Sequence, residues 1–537
     1  MRAITQLLPV PALFTLLLIA SSGIACSFTS SESPAPVVYI TATPPPPPSA
    51  EPPLFNPFLA TPTPAGATAT ALQPTPNPVP PERLRNDPAP YAIQSGDTLS
   101  ALAVLYGTQI AEILRLNPGL TESTILVPGQ TILMPGRPTQ TTPNVKLIPD
   151  SELVYSPAVG KFDVAAYIRF QPGFIRVYSE DVGSGRFMSG AEIVQFVAQS
   201  ASVNPRLLLA LLEYRSGWIT NPVPSQEAIT YPMGNRSERA KSLLSQLDWA
   251  AGQLNAGYYG WRTRGLTTLE FPDRSRLAFA PELNAGTVGV QYFLARSAVS
   301  RDQWTTDVSV NGFFTTYMAL FGDPFRSALE PLIPPNLTQP PLIFPFPQGE
   351  TWYFTSGPHG GWDARLSGWA AIDFAPPRPS DEILLTQGNC YISPNFATAM
   401  AAGLVVRSGD GVVVIDLDLD GDERTGWTLV YLHIAEQDRT PAGTMLPVGG
   451  RVGRPSCEGL YLNSLGTHIH VARRYNGEWI VADCTACAQD APRIPFILSG
   501  WEVKGLQGQV YEGYLQKDGQ IRRANAGRED PSNQITW

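Results

Sequence analysis

Gly466-Thr467-His468-Ile469-His470 is the stretch from which the rest of this sequence can be ordered. A strand has a side-chain period of two, so His468 and His470 face the same space. Two imidazoles side by side on a rigid strand make half of a metal site, or a ligand beside a proton carrier. The chain holds only 4 histidines. The others are His359 in Ser356-Gly357-Pro358-His359 and His433 in Val430-Tyr431-Leu432-His433, and all lie in the C-terminal third. Short runs surround them: Trp352 to Phe354, Ala370 to Phe374, Gly403 to Val406, Val412 to Ile415, Thr428 to Ile434 and Thr467 to Ala472. Separated by glycine turns, they predict an antiparallel β domain over 348–500, with further strands and a tail over 501–537.

Asp373 is a lone acid inside the apolar strand Ala370 to Phe374. A bare carboxylate there is costly and calls for a metal or a cationic partner. A catalytic zinc keeps three protein ligands and one open position. His359, Asp373 and His470 are the candidate ligands, which leaves His433 and His468 to move protons. No HExxH motif is present, so no glutamate base is implied.

The four segments Ser356-Gly357-Pro358-His359, Ala371-Ile372-Asp373-Phe374-Ala375, Tyr431-Leu432-His433 and Gly466 to His470, in that order, resemble the lysostaphin-type zinc metallopeptidases. Within that family they look most like the beta-lytic and staphylolytic branch, over about residues 345–479. In the commoner branch the first ligand stands four residues before the Asp, where this chain has Trp369. The beta-lytic branch places its His farther upstream in a Gly-Pro-His turn, which His359 fits. The resemblance implies zinc held by His359, Asp373 and His470, and catalysis by His433 and His468; which of the two is the base stays open. The implied substrate is the peptide part of peptidoglycan, its glycine-containing bridges or D-Ala cross-links. Two other readings compete: a non-catalytic peptidoglycan-binding scaffold or regulator with a retained metal fold, and a glycosidase in a preceding helical domain.

The upstream chain gives this reading a context. Arg2, the apolar Leu7 to Ala20 and the small residues that follow read as an export signal over 1–26. Ile24-Ala25-Cys26 resembles the end of a bacterial lipoprotein signal, with Gly23 where an aliphatic is usual, and implies lipidation of Cys26. The expected location is extracellular or in the cell envelope, anchored by lipid to the outer face of the membrane. Residues 27–90 are rich in Pro, Thr, Ala and Ser, and predict an extended, disordered stalk. Over 91–135 the pattern becomes strand, helix, helix, strand. Gly96-Asp97-Thr98-Leu99, Leu116-Asn117-Pro118 and Val127-Pro128-Gly129-Gln130 resemble the LysM module, which implies binding of N-acetylglucosamine-containing glycans of peptidoglycan. Gly96, Asp97 and Thr98 in one loop, with Leu120 and Ile125 in the other, are the candidate glycan contacts. A spacer over 136–153 leads to a mainly helical domain over 154–332. There Val203-Asn204-Pro205-Arg206-Leu207-Leu208 to Arg215-Ser216-Gly217 looks like the start of a lysozyme-like transglycosylase domain. Arg215 stands where that family has its catalytic Glu, and Glu213 points about 200° away on a helix. The domain is therefore expected to be degenerate, a glycan binder or a spacer. A second proline-rich joint, 333–347, precedes the β domain.

Composition narrows the partners. The net charge of −9 comes with no basic run or stripe, which argues against nucleic acid. Setting Cys26 aside, Cys390, Cys457, Cys484 and Cys487 remain. An even count in an exported domain predicts disulfides, with three pairings open. Asp416-x-Asp418-x-Asp420-Gly421 resembles the start of a calcium loop, but Trp427 stands at the twelfth position, and a solvated hairpin turn is expected.

Overall fold

In the computed structural model the described residues are 88–93, 97–105, 108–135, 141–183, 185–272, 275–362, 366–460, 464–484, 487, 491–506, 509–528 and 530–537. The expected signal, Cys26, nearly all of the stalk and Gly96 lie outside them. No helix among the described residues is long and apolar enough to cross a membrane.

The glycan-binding candidate has the expected plan: β1 (Ala89–Ala92), α1 (Leu99–Leu105), α2 (Ile110–Leu116) and β2 (Thr131–Met134), with β1 and β2 antiparallel. Helices of seven residues are marginal alone. They are held by burying Leu99, Leu102, Ala103 and Ile113 against Ile132 and Met134. Asn117, at the end of α2, takes both backbone groups of Leu133: Nδ2 donates to its carbonyl and Oδ1 accepts from its N–H, each at 2.7 Å. One side chain thus satisfies the open edge of β2.

The middle region is mainly helical, as expected. Its principal helices are α3 (Gly190–Ala201), α4 (Pro205–Ser216), α5 (Leu243–Arg262) and α6 (Ala285–Ser297). α3 starts with a capping box between Ser189 and Glu192, and α4 with an Asn204 cap and proline in the first turn. α5 and α6 approach through glycines. A Cβ on Gly257 would lie 2.8 Å from Gly289 Cα and 2.7 Å from Tyr292 Cβ. Gly257→Ala is expected to destabilise the chain by about 1–3 kcal/mol through overpacking, read as a lowered midpoint in urea unfolding.

Glu213 and Arg215 have structural partners here. The Glu213 carboxylate accepts the N–H groups of Ile219 (2.8 Å) and Thr220 (3.1 Å). Arg215 donates to the Ser297 carbonyl at 2.7 Å and lies 3.8 Å from Asp307.

Neither proline-containing spacer is free. Leu147, Ile148 and Leu153 are fully buried in the helical core, and Leu342, Phe344 and Phe346 in the core of the β domain. Proline marks extended chain, and extended chain can still seat the apolar residues between its prolines.

The β domain is built on a nine-stranded sheet. In chain order its strands are β3 (Trp352–His359), β4 (Ala371–Ala375), β5 (Gly403–Gly409), β6 (Val412–Asp416), β7 (Trp427–Leu432), β8 (Met445–Leu446), β9 (Ile469–Tyr475), β10 (Glu478–Trp479) and, after a separate hairpin, β13 (Gln534–Ile535). That hairpin is β11 (Trp501–Leu506) with β12 (Gln509–Lys517). The spatial order is β8-β5-β6-β7-β9-β4-β3-β13, with β10 on β9 and every pair antiparallel.

The strand period sorts the two faces. Val413, Ile415, Leu429, Tyr431, Ile469, Val471, Ile372 and Phe374 enter the core of the β domain itself. Val412, Val414, Val430, Leu432, Ala472 and Ala371 face the other way and share one continuous core with the helices. Trp479 is sealed into this seam, its indole N–H donating to Ala201 O (3.2 Å) and its backbone N–H accepted by Tyr259 Oη (2.9 Å). Adjacent Arg473 and Arg474 are both fully buried, one on each side of the sheet. Arg473 donates to the carbonyls of Val481, Ile494 and Pro495 under Phe496. Arg474 donates to Glu423 (2.7 Å) and, across the seam, to Gln199 O (3.3 Å).

Candidate metal centre

Register alone brings the site together. His470 on β9 is the direct partner of Asp373 on β4, so the two side chains stand on one face. That face is the one turned toward the helices. β3 reaches the same place through two register shifts, the second between Ser356 and His359, which set His359 at the strand end. His433 follows β7, where Leu432 pairs with His470, and holds φ at +63, the left-handed region that few non-glycine residues adopt. His468 precedes β9 and lies on a bridge to Ser456.

Three donor atoms converge. His359 Nε2 lies 3.0 Å from His470 Nδ1, and Asp373 Oδ1 is 3.2 Å from the former and 3.3 Å from the latter. All three residues are buried, and Asp373 Oδ1 has no hydrogen bond of good geometry. Two imidazole nitrogens and a carboxylate oxygen, buried and pointing at one another, fit a borderline metal such as zinc. Trp369, at the position of the displaced ligand, is not in this group; its ring lies under Arg264, with 5.9 Å from the guanidinium carbon to the ring centroid. His359 takes that place.

Each histidine has one ring nitrogen on a backbone carbonyl. His359 Nδ1 is on Gly357 O (2.9 Å), His470 Nε2 on Gly361 O (3.0 Å), His433 Nδ1 on Glu458 O (3.0 Å) and His468 Nδ1 on Gly466 O (2.7 Å). A carbonyl only accepts, so each of these nitrogens carries hydrogen and the other ring nitrogen is the one left facing inward. His468 Nε2 stands 3.7 Å from Asp373 Oδ2, and the His433 and His468 ring centroids are 4.5 Å apart.

Charge follows burial and neighbours. Burial pushes the Asp373 carboxyl up, yet His359 and His468 beside it hold it well below the usual carboxylate range. Burial, then the nearby His468 and His470, lower His433 to about 3. Burial, with His359 adding to it, also lowers His470. The carboxylate is therefore ionised and the His470 imidazole neutral, the forms a metal takes.

Tyr511, on β12, is a residue that the strand pattern did not single out. Its ring lies 4.8 Å from that of His359, and its φ is +73. The expected disulfides form as Cys390–Cys457 and Cys484–Cys487. Asp416, Asp418 and Asp420 lie close together in the turn between β6 and β7. Asp416 accepts the N–H groups of Asp418 and Gly421, and burial together with Asp416 and Asp420 raises Asp418 to about 6. In the glycan module Asp97 accepts from Tyr91 Oη (2.9 Å), Thr98 is exposed, Leu120 is half-buried and Ile125 is 87% exposed.

Comparison with known proteins bears on three regions. Residues 91–135 match the LysM domain model, and residues 146–336 match the model described as LasA, N-terminal domain. Neither match supports the lysozyme-like reading of the helical region. No curated protein matches the chain. Among solved structures, the deep-sea M23 metalloprotease pseudoalterin aligns at 17% identity and TM-score 0.25, over 35% of this chain and 96% of its own. The lysostaphin catalytic domain of Staphylococcus simulans aligns at 16% and 0.17, over 24% and 87%. A point variant of the catalytic domain of the prophage-encoded M23 protein EnpA, from Enterococcus faecalis, aligns at 20% and 0.17, over 26% and 93%.

Proposed function

We propose, for a chain that carries a LysM domain and resembles the lysostaphin-type metallopeptidases, that it is an exported zinc endopeptidase cutting the peptide cross-links of peptidoglycan. The observation that carries this is the convergence of His359 Nε2, His470 Nδ1 and Asp373 Oδ1 within 3.0–3.3 Å of one another. These three residues hold the zinc. Bound zinc supplies Lewis acidity toward a water and the scissile carbonyl.

His433 and His468 do the proton work. Glu458 O and Gly466 O fix one nitrogen of each, so both rings offer Nε2 to the same substrate group. One of the two rings accepts a proton; His433, lowered to about 3, is neutral across the physiological range but a weaker base than a free imidazole. The second ring then stabilises the developing oxyanion or donates to the leaving amine. Trp362, next to the Gly361 carbonyl that holds His470, packs edge-on against Phe196 of α3, so the helical region walls one side of the centre. The LysM loops, through Asp97, Thr98, Leu120 and Ile125, hold the glycan strand while its stem peptides are cut. Cys26 provides the lipid anchor, and the two disulfides suit an oxidising compartment outside the cytoplasm.

Mass analysis of peptidoglycan digested with wild type and with His470→Ala tests the reading. New amino termini at peptide cross-links with wild type, absent with the variant, are the expected result. Bound zinc with no new amino groups would point instead to a scaffold, and sugar ends released equally by the variant would point to a glycosidase.

A further inference from the structure

Thr467, the residue between Gly466 and His468, is fully buried, and each of its polar groups is held. Its N–H donates to Asn389 O at 2.9 Å. Its hydroxyl donates to Tyr391 O. Its carbonyl accepts from Arg528 Nη2, a residue 61 positions away. The same guanidinium donates through Nη1 to Tyr391 Oη, and its carbon lies 5.3 Å from the Tyr391 ring centroid. Arg528, Thr467 and Tyr391 thereby close a ring of contacts.

The Thr467 carbonyl and the His468 N–H belong to one peptide plane. The N–H end rests on Ser456 O at 3.3 Å, a long bond. Ser456 in turn donates its own N–H to His433 O at 2.7 Å. The carbonyl end has the charge-assisted bond from Arg528, the stronger of the two anchors. The His468 ring is then aimed by this plane and by its 2.7 Å bond to Gly466 O.

We infer that Arg528 is a positioning residue for His468: by pinning the Thr467–His468 peptide plane through Thr467 O and Tyr391, it keeps the His468 ring in its working orientation. The inference rests on the proposed catalytic role of His468. Arg528 lies outside the segment whose motifs carry the peptidase resemblance, in what the sequence alone presents as a tail.

The experiment compares wild type, Arg528→Ala, Arg528→Lys and Tyr391→Phe as full-length zinc-loaded chains, with kcat and KM for a cross-linked wall peptide and histidine ring nitrogen resonances. A misplaced catalytic group by about 1 Å lowers turnover by up to ~100-fold. Arg528→Ala is expected to lose ~10- to 100-fold in kcat with KM and zinc content unchanged, and added guanidinium to restore part of it. Arg528→Lys, which still reaches one acceptor but lacks the fork, falls between. The His468 resonances change from one tautomer to a mixture in Arg528→Ala. An unchanged kcat and an unchanged His468 signal in both Arg528→Ala and Tyr391→Phe would overturn the inference. If Arg528→Ala does not fold, Tyr391→Phe, which removes one hydroxyl, decides on the same two readouts. The His468 signal reports the ring whether or not the wall peptide is cut, so a wild type that fails to cleave overturns the peptidase reading and leaves the clamp to be judged by the spectrum.

Discussion

His470→Ala is expected to retain no zinc after dialysis and to cleave wall peptide ~1000-fold or more slowly than wild type, measured by metal analysis and by release of amino groups. His470 is the proposed ligand that the other two face, at 3.0 Å from His359 Nε2 and 3.3 Å from Asp373 Oδ1. Its loss leaves the Asp373 carboxylate buried beside one fewer partner. His468→Ala makes the informative contrast. It removes a ring that touches the centre only through the outer oxygen of Asp373, at 3.7 Å. Zinc is expected to stay while turnover collapses. Equal zinc content in wild type and His470→Ala would sink the assignment of the ligand set.

The second large effect lies in the seam. Glu423 is buried between two guanidiniums, Arg407 at 3.0 Å and Arg474 at 2.7 Å. Glu423→Ala leaves the fully buried Arg474 without its anion and is expected to lower stability by about 3–5 kcal/mol, measured by chemical denaturation. Glu423→Gln keeps the shape and a carbonyl acceptor, and should lose less. Burial pushes the Glu423 carboxyl up, but Arg407 and Arg474 more than offset this and hold it below its ordinary 4.5. A carboxyl depressed in the folded state adds stability that is full above its unfolded pKa and fades as pH falls through the folded one. The advantage of wild type over Glu423→Gln should therefore be constant near neutrality and shrink below about pH 4.5. A difference that grew on acidification would contradict the ion triad.

The candidate donors stood out in the sequence by residue type and by family resemblance; what brings His359, Asp373 and His470 together is long-range strand register. Two residues apart on a strand is one face, and an acid in an apolar run announces a partner, so His470 and Asp373 could each be singled out before their register was known. The βααβ module was equally plain from its apolar spacing and turns. The seam was not. A strand buried on both faces reads as an unbroken apolar run, and nothing in Val412 to Ile415 says what covers its second face. Nor does the pair Arg473-Arg474 look like core, since each needs carbonyls or a carboxylate brought from distant segments. Tyr511 and the Cys390–Cys457 disulfide depend in the same way on long-range closure. The prolines of 136–153 and 333–347 drew attention away from the leucines and phenylalanines between them.

One consequence concerns timing. β13 pairs through Gln534 and Ile535 with Tyr353 and Trp352 of β3, the strand that ends in His359. A ribosome that has made His359, Asp373, His433, His468 and His470 has still not made this neighbour, which lies far along the chain from β3. Contacts so far apart in sequence form late and slowly. Until β13 is made and docks, β3 has an open outer edge. A chain that stops before Gln534 would carry all five of these side chains and an incomplete sheet.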